Sequence, residues 1–376
     1  MMIDSHFYGF SYPDPAVWKQ NVLNELTKKF SGENLDKLIH NYEVNPPFYG
    51  LSDRPTLLDR SIHNQNQFSI ISPILSAHDA PDLLAQRARW GMDGFIIEEG
   101  LSPLRLELLS ATYRSNSELY FHFTRPEGLS DFLSQGLDSL PLETSGGLRW
   151  NMFAPIADRK PSFGDLAINP LIPEVYAKTK KFLGFRGLSF ECGEGGDSEE
   201  QMIHQLYRVL SEFIEVLDVL TEQGEEVRTV LSATAFYVGI GNDYFKEIIR
   251  IRLLKKMVLL LARDIDSTVS ASDIFIFCKS EDKPLSASEL GEYLVRQTMK
   301  GMMATQGGCD ALCLGAVSLG DDLEEQCRLL VNSAHIIRHE TGLLRMEDPL
   351  WGNFYMTHKE SEWANKVLVL LREGNR

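Results

Sequence analysis

Basic residues are in short supply in this 376-residue sequence: 37 Lys and Arg stand against 53 Asp and Glu, a formal charge of -16. No cluster of Lys or Arg interleaved with aromatics tracks a phosphate backbone, so neither nucleic acid nor an anionic membrane surface is an expected partner. Cysteine is scarce too. The five thiols, Cys192, Cys278, Cys309, Cys313 and Cys327, are odd in number and lack the paired C-x-x-C spacing of a zinc site, which fits scattered buried thiols in a reducing compartment. The opening "MMIDSHFYGF" has no basic stretch leading into an apolar one, and no run approaches the roughly 18 apolar residues of a membrane span. A cytoplasmic protein is expected. No Gly/Ser or low-complexity linker divides the chain.

The chain does contain enough apolar material, 43% hydrophobic and 10% aromatic, for one large core and a smaller annex. From Phe68 onward, short β-rich runs alternate with longer helical patterns. The pairs are "FSIISPIL" with 79–91, "GFIIEE" with 102–115, "LYFHFT" with 127–135 and "LRWNMFAPI" with 171–181. Then come "GFRGLSFE" with 197–223, "RTVLSATAF" with 242–263, "DIFIFCK" with 286–304 and "ALCLGAV" with 321–341. Eight such pairs predict an α/β fold of the (β/α)8 TIM-barrel class, with a doubly wound open sheet as the alternative. The helix over 197–223 is the clearest: Asp197 or Ser198 can cap it, acids fill its first turn, and Ile203, Leu206, Leu210, Phe213, Leu217 and Leu220 recur at helical spacing before Gly224. The expected organisation is an arm over 1–60 with one amphipathic helix near Pro15–Phe30, a barrel over 61–345, and a C-terminal helix and tail over 346–376.

In a barrel, chemistry sits at the C-terminal strand ends. Polar candidates there are Glu98 and Glu99, His122 with Thr124 and Arg125, and Asp158 with Arg159. Glu191, Cys192 and Glu194, then Tyr237, and Lys279 with Glu281 complete them. His122 reads more readily as a hydrogen-bonded wall residue than as a base or ligand, because no second His or Cys lies at ligand spacing. Of Glu98 and Glu99 at most one can face inward, since adjacent strand residues face opposite sides. Cys192 lacks a nucleophile signature. The glycines of "GEGG" (193–196) are followed by no Lys, so they do not form a P-loop.

Two stretches fall outside generic barrel logic. "NSAHIIRHETGLLRMEDPLWGNFY" (332–355) resembles the methylmalonyl-CoA mutase segment that runs from Asn-Thr-Gln to Glu-Glu-Ser, Asp-Pro and Gly-Ser-Tyr-Tyr, with Asn332, Glu340, Asp348, Pro349, Gly352 and Tyr355 in step. "NDYFKEIIRIRLLKKM" (242–257) is similar to that family's Phe-x-Glu-Ile-Ala-Lys-x-Arg-x-x-Arg helix through Phe245, Glu247, Ile248, Arg250 and Arg252. The segment from Trp18 to Tyr49 resembles the family's N-terminal one.

The resemblance implies a (β/α)8 barrel threaded by acyl-CoA, interconverting methylmalonyl-CoA and succinyl-CoA. It also implies a flavodoxin-like domain after the barrel, in which the His of an Asp-x-His-x-x-Gly motif ligates cobalamin. Here the catalytic signatures depart. Aligned through Glu194 and Gln201, Glu191 stands where the family has its catalytic His; Phe277 and Lys279 stand at the His and Gln positions of the Arg-Thr-His-x-Gln-Thr-Ser-Gly run; and of Tyr-x-x-Arg-Pro-Trp only Arg54-Pro55 remains. The expectation is a small-subunit-like barrel without its own catalytic, cofactor-binding or metal residues. It would bind no cobalamin because no Asp-x-His-x-x-Gly supplies a ligand, and adenosylcobalamin would reside only in a large-subunit partner. The chain would form a heterodimer or self-associate, with the aromatic arm docking. The alternatives are a repurposed barrel with an acid/base site at Glu191, His122 and Lys279, and a non-catalytic acyl-CoA binder. Bulky residues in both phases of "LYFHF" and "DIFIF" are expected to fill the bore.

Overall fold

The computed structural model describes residues 6–7, 10–11, 15–29, 31, 68–75, 89–98, 117–153, 169, 171–196, 198–280, 290–315, 323–345, 348–350 and 352–374. The chain divides into two compact units, Met1–Thr56 with Gly352–His358, and Leu57–Trp351 with Lys359–Arg376. In the first, His6–Phe7 pairs antiparallel with Phe10–Ser11. Helix α1 (Pro15–Lys29) opens on proline, whose fixed φ suits a first turn, and closes on Lys28 and Lys29, which complement the negative pole.

The second unit holds a parallel sheet of nine strand stretches. Its strands are β1 (Ser69–Leu75), β2 (Gly94–Glu98), β3 (Glu118–His122), β4 (Ser145–Arg149), β5, β6 (Thr234–Ile240), β7 (Ile276–Ser280) and β8 (Ala311–Cys313). β5 comprises two stretches, Phe185–Arg186 and Leu188–Cys192, separated by Gly187. The first stretch pairs with β4 and the second with β6. That double allegiance joins the two ends of the sheet order and makes the fold an α/β TIM-type barrel. A Cβ on Gly187 would lie 2.1 Å from Thr179 Oγ1, so only glycine permits the strand to pass there.

The helices follow the expected rhythm where they are described: α2 (Pro126–Asp131), α3 (Leu171–Thr179), α4 (Glu199–Glu222), α5 (Val227–Ser232), α6 (Tyr244–Ile265), α7 (Leu290–Gly307), α8 (Leu323–His339) and α9 (Phe354–Gly374). Ser198 caps α4 by accepting from Gln201 N at 3.2 Å, and Asp243 caps α6 through Lys246 N at 3.2 Å. The helices expected at 79–91 and 102–115 fall almost wholly outside the described residues. Two boundaries differ from the sequence reading. β4 begins at Ser145, ahead of "LRWNMFAPI", because Gly146 and Gly147 give a strand no side-chain pattern. The start of "RTVLSATAF" is helix α5, since Val227, Val230 and Leu231 bury one helical face before β6 begins at Thr234.

Strand alternation sorts the core into two layers. Outward, Phe190 of β5 and Phe236 of β6 stack at 5.4 Å, and Phe213 of α4 closes on both, at 5.6 and 5.5 Å. Inward, Ile71, Ile96, Tyr120, Ala235, Tyr237, Phe277, Ala311 and Cys313 pack as one cluster joined by Phe275. Tyr120 meets Phe277 edge-on at 4.8 Å, and Phe277 meets Tyr237 at 5.2 Å. β3, β6 and β7 thus put three aromatic rings into the middle of the bore.

Helix α6 is buried at every residue from Glu247 to Val258. Four cations lie inside that stretch, each against at least one acid. Arg250 meets Glu247 at 2.6 Å, and Lys255 meets Asp310 at 3.0 Å. Arg252 holds Asp348 through two bonds of 3.0 and 2.8 Å, and Glu360 of α9 at 2.6 Å. Lys256 takes the other oxygen of Glu360, and burial pulls its ammonium pKa below the ordinary value. Removing one partner of such a group leaves an uncompensated buried charge. Glu360→Gln is therefore expected to cost about 3 kcal/mol or more in urea unfolding; a loss below about 1 kcal/mol, the surface-pair range, would show that α9 is not anchored this way.

Candidate functional site: the barrel mouth

The C-terminal ends of β3, β4, β5 and β7 bring His122, Arg149, Glu191 and Lys279 to the inner rim. His122 stands beside Arg149 in register, Glu191 beside Tyr237, and Lys279 beside Gly239. The centre of this ring is an ion pair the sequence reading did not anticipate. Arg149 donates to both oxygens of Glu191, at 2.7 and 3.1 Å, and its guanidinium lies 5.8 Å from the centre of the Tyr237 ring. Tyr237 in turn donates to Leu148 O across the bore at 3.2 Å. Burial, and next the nearby Glu191 charge, push the Tyr237 phenol far above its ordinary pKa, so it remains a neutral donor. Arg149 lay within a strand pattern, but nothing in a single sequence says which acid a strand-end arginine will meet.

Glu98 is in register with His122, while Glu99, Asp158, Arg159, Glu281 and Arg54-Pro55 lie outside the described residues. Thr124 and Arg125 form the bend that leads into α2, with Arg125 at its N-cap. Cys192 faces the helices, its sulfur 3.2 Å from Arg250 Nη1, and burial raises its thiol pKa, which disfavours the nucleophilic thiolate. Glu194 offers its carbonyl to Gln205 at 2.7 Å. Phe277 belongs to the aromatic filling of the bore.

The "GEGG" turn has a packing explanation. Arg250 bonds the carbonyls of Cys192, Gly193 and Gly239 at the tips of β5 and β6. Glu247 beside it presses so closely that a Cβ on Gly195 would lie 1.5 Å from its Oε1. The glycines admit the buried Arg250–Glu247 pair, and the turn wraps it.

Glu191 commits both carboxylate oxygens to Arg149. Among the described residues no group of three His, Cys, Asp or Glu could hold a metal ion. The six-residue pattern Asp-x-His-x-x-Gly does occur once, at 4–9 ahead of the barrel, which corrects the expectation that none is present. Its His6 and Phe7 belong to a two-residue antiparallel ladder, and the described residues around them build no doubly wound sheet.

A family model described as methylmalonyl-CoA mutase matches residues 194–373. Residues 194–373 are similar to methylmalonyl-CoA mutase. The chain's similarity to the methylmalonyl-CoA mutase of Rhizobium meliloti is 23% identity over 200 residues, covering 52% of this chain and 28% of that protein. The Escherichia coli methylmalonyl-CoA mutase is 24% identical over 196 residues, 50% of this chain and 27% of that one. The 2-hydroxyisobutanoyl-CoA mutase large subunit of Aquincola tertiaricarbonis is 20% identical over 188 residues, 49% of this chain and 33% of that one. The matched stretch thus spans about a third or less of these relatives. A Yersinia pestis DHPS structure overlaps 72% of this chain and 95% of that chain with a TM-score of 0.39 and 9% identity, too loose a match to carry a functional argument. Both motif stretches, 242–257 and 332–355, lie within the matched region, and here Arg252 of one bonds Asp348 of the other. No described helix is long and apolar enough to cross a membrane.

Behind the mouth, Arg208 of α4 donates to Glu191 O at 2.8 Å and sits 3.9 Å from Glu212. Burial first, with the charges of Glu215 and Glu191 added and Arg208 opposing, raises the Glu212 carboxyl to about 7. A carboxyl whose folded pKa is raised favours the fold fully below its unfolded pKa and loses that contribution as pH rises through the folded value. Stability should therefore fall between about pH 4.5 and about pH 7 by this group's share. Glu212→Gln is expected to raise Tm at pH 8 and leave it nearly unchanged at pH 4.5; an equal shift at both would remove Glu212 titration as the cause.

Proposed function

We propose that this chain is a small-subunit-like, non-catalytic component of a cytoplasmic, cobalamin-dependent methylmalonyl-CoA mutase, acting as the structural partner of a catalytic large subunit. The observation that carries this reading is the filled barrel. Tyr120, Tyr237 and Phe277 meet in the bore, where the resemblance implies that a catalytic relative threads acyl-CoA. At the position matching the family's catalytic His stands Glu191, bound to Arg149. A carboxylate there opposes the negative charge that develops on a thioester oxygen, whereas the histidine would stabilise it. Aromatic anchors over residues 1–60, among them Phe7, Tyr8, Phe10, Tyr12, Trp18, Phe48 and Tyr49, suit an arm docked on a partner.

Co-expressed with a full-length mutase large subunit, the chain is expected to co-elute as a 1:1 complex by light scattering. Deleting residues 1–60 should leave a folded barrel that no longer associates. Turnover of methylmalonyl-CoA by the chain alone would favour the acid/base reading at Glu191, His122 and Lys279. A lone monomer whose truncated form fails to fold would show that the arm packs on its own barrel.

For the cofactor, calorimetry with adenosylcobalamin and the isolated chain should show no submicromolar binding, with or without His6→Ala. Binding that His6→Ala abolishes would establish the 4–9 pattern as a ligand and overturn this part of the reading.

A further inference from the structure

Ladders of five residue pairs join β2 to β3, β3 to β4, β5 to β6 and β6 to β7. Between β4 and β5 the ladder stops after two, Gly146 with Phe185 and Gly147 with Arg186. The next carbonyl on β5, Gly187 O, receives the indole N–H of Trp150 at 2.9 Å in place of a strand amide. Above it the Ser189 hydroxyl accepts from Trp150 N at 3.0 Å and donates to Trp150 O at 2.6 Å, replacing both backbone partners with one side chain. At the rim, Arg149 and Glu191 close the same gap. Leu148 O is taken from the far side by Tyr237. Trp150 and Ser189 are buried, so these bonds exchange little with water.

We infer that the upper β4–β5 seam is a side-chain lock: Trp150, Ser189 and the Arg149–Glu191 pair hold the barrel mouth closed where the backbone ladder ends. Backbone ladders resist most single substitutions because every residue type except proline supplies the same amide and carbonyl. This seam depends on four particular side chains, so it can be released without unfolding the sheet. The lock goes beyond the proposed function, because it holds whether or not a large subunit is the partner.

Hydrogen exchange followed by mass spectrometry tests it on the full chain. Glu191→Gln and Ser189→Ala should each speed exchange in peptides covering 145–153 and 185–192 by about tenfold or more, with β6 and α6 peptides unchanged. Trp150→Phe, which keeps an aromatic ring but loses the indole N–H together with part of the ring volume, should also speed exchange at the seam and serves if Ser189→Ala does not fold. Unchanged exchange across the seam in these variants, or an acceleration spread evenly over all strands, would overturn the lock. Neither result bears on whether the chain co-elutes with a large subunit.

Discussion

Helix α6 lies inside the protein rather than on it, and the neutralisation of its four buried cations is the constraint on which the rest of the second unit depends. A helix on the outer ring of a barrel ordinarily shows one face to water. Here the outer face bears Arg252 and Lys256, and Glu360 of α9 with Asp348 covers them. The inner side bears Arg250 and Lys255, which tie the tips of β5 and β6 and the start of β8 through carbonyls and Asp310. Asp310 also accepts from Ile276 N at 2.8 Å, so the same acid sets the entry of β7. Exposed ion pairs contribute little, but breaking one that is buried is severe, which makes these contacts interdependent. The chain must bring residues from 192, 250, 310, 348 and 360 together for any of them to be tolerable.

This dependence gives the family-like motifs a physical role in this chain. Glu247, Arg250, Arg252 and Asp348 are the matched residues that form the buried network. They preserve a way of packing a C-terminal helix onto a barrel, and their presence does not require that the barrel perform chemistry. The inner rim is built separately, from strand-end residues on β4 and β5.

The alternation of strands and helices was readable because period-2 and period-3.6 patterns differ, and α4 with its Ser198 cap and the span of α6 follow the sequence closely. The strand at 145–149 was displaced because two glycines carry no pattern, and 227–232 was misassigned because a short apolar run fits a helix or a strand equally well. The occupied bore was legible: with bulky groups in both phases of β3 and β7, either phase would fill it. The Arg149–Glu191 pair was not, since it joins residues 42 apart across a seam whose geometry follows from the passage at Gly187. The sequence reading excluded a P-loop from the glycines after β5 but could not show that Gly195 makes room for the Glu247 carboxylate of another helix.

The aromatic filling has a mechanical consequence. A hollow barrel can change its cross-section by sliding strands past one another, but rings wedged between β3, β6 and β7 must lose contact if any of those strands shifts, so the filling opposes such sliding and braces the tube. An object of that kind shows the same outer contour before and after it meets another surface and gives up little conformational freedom in doing so.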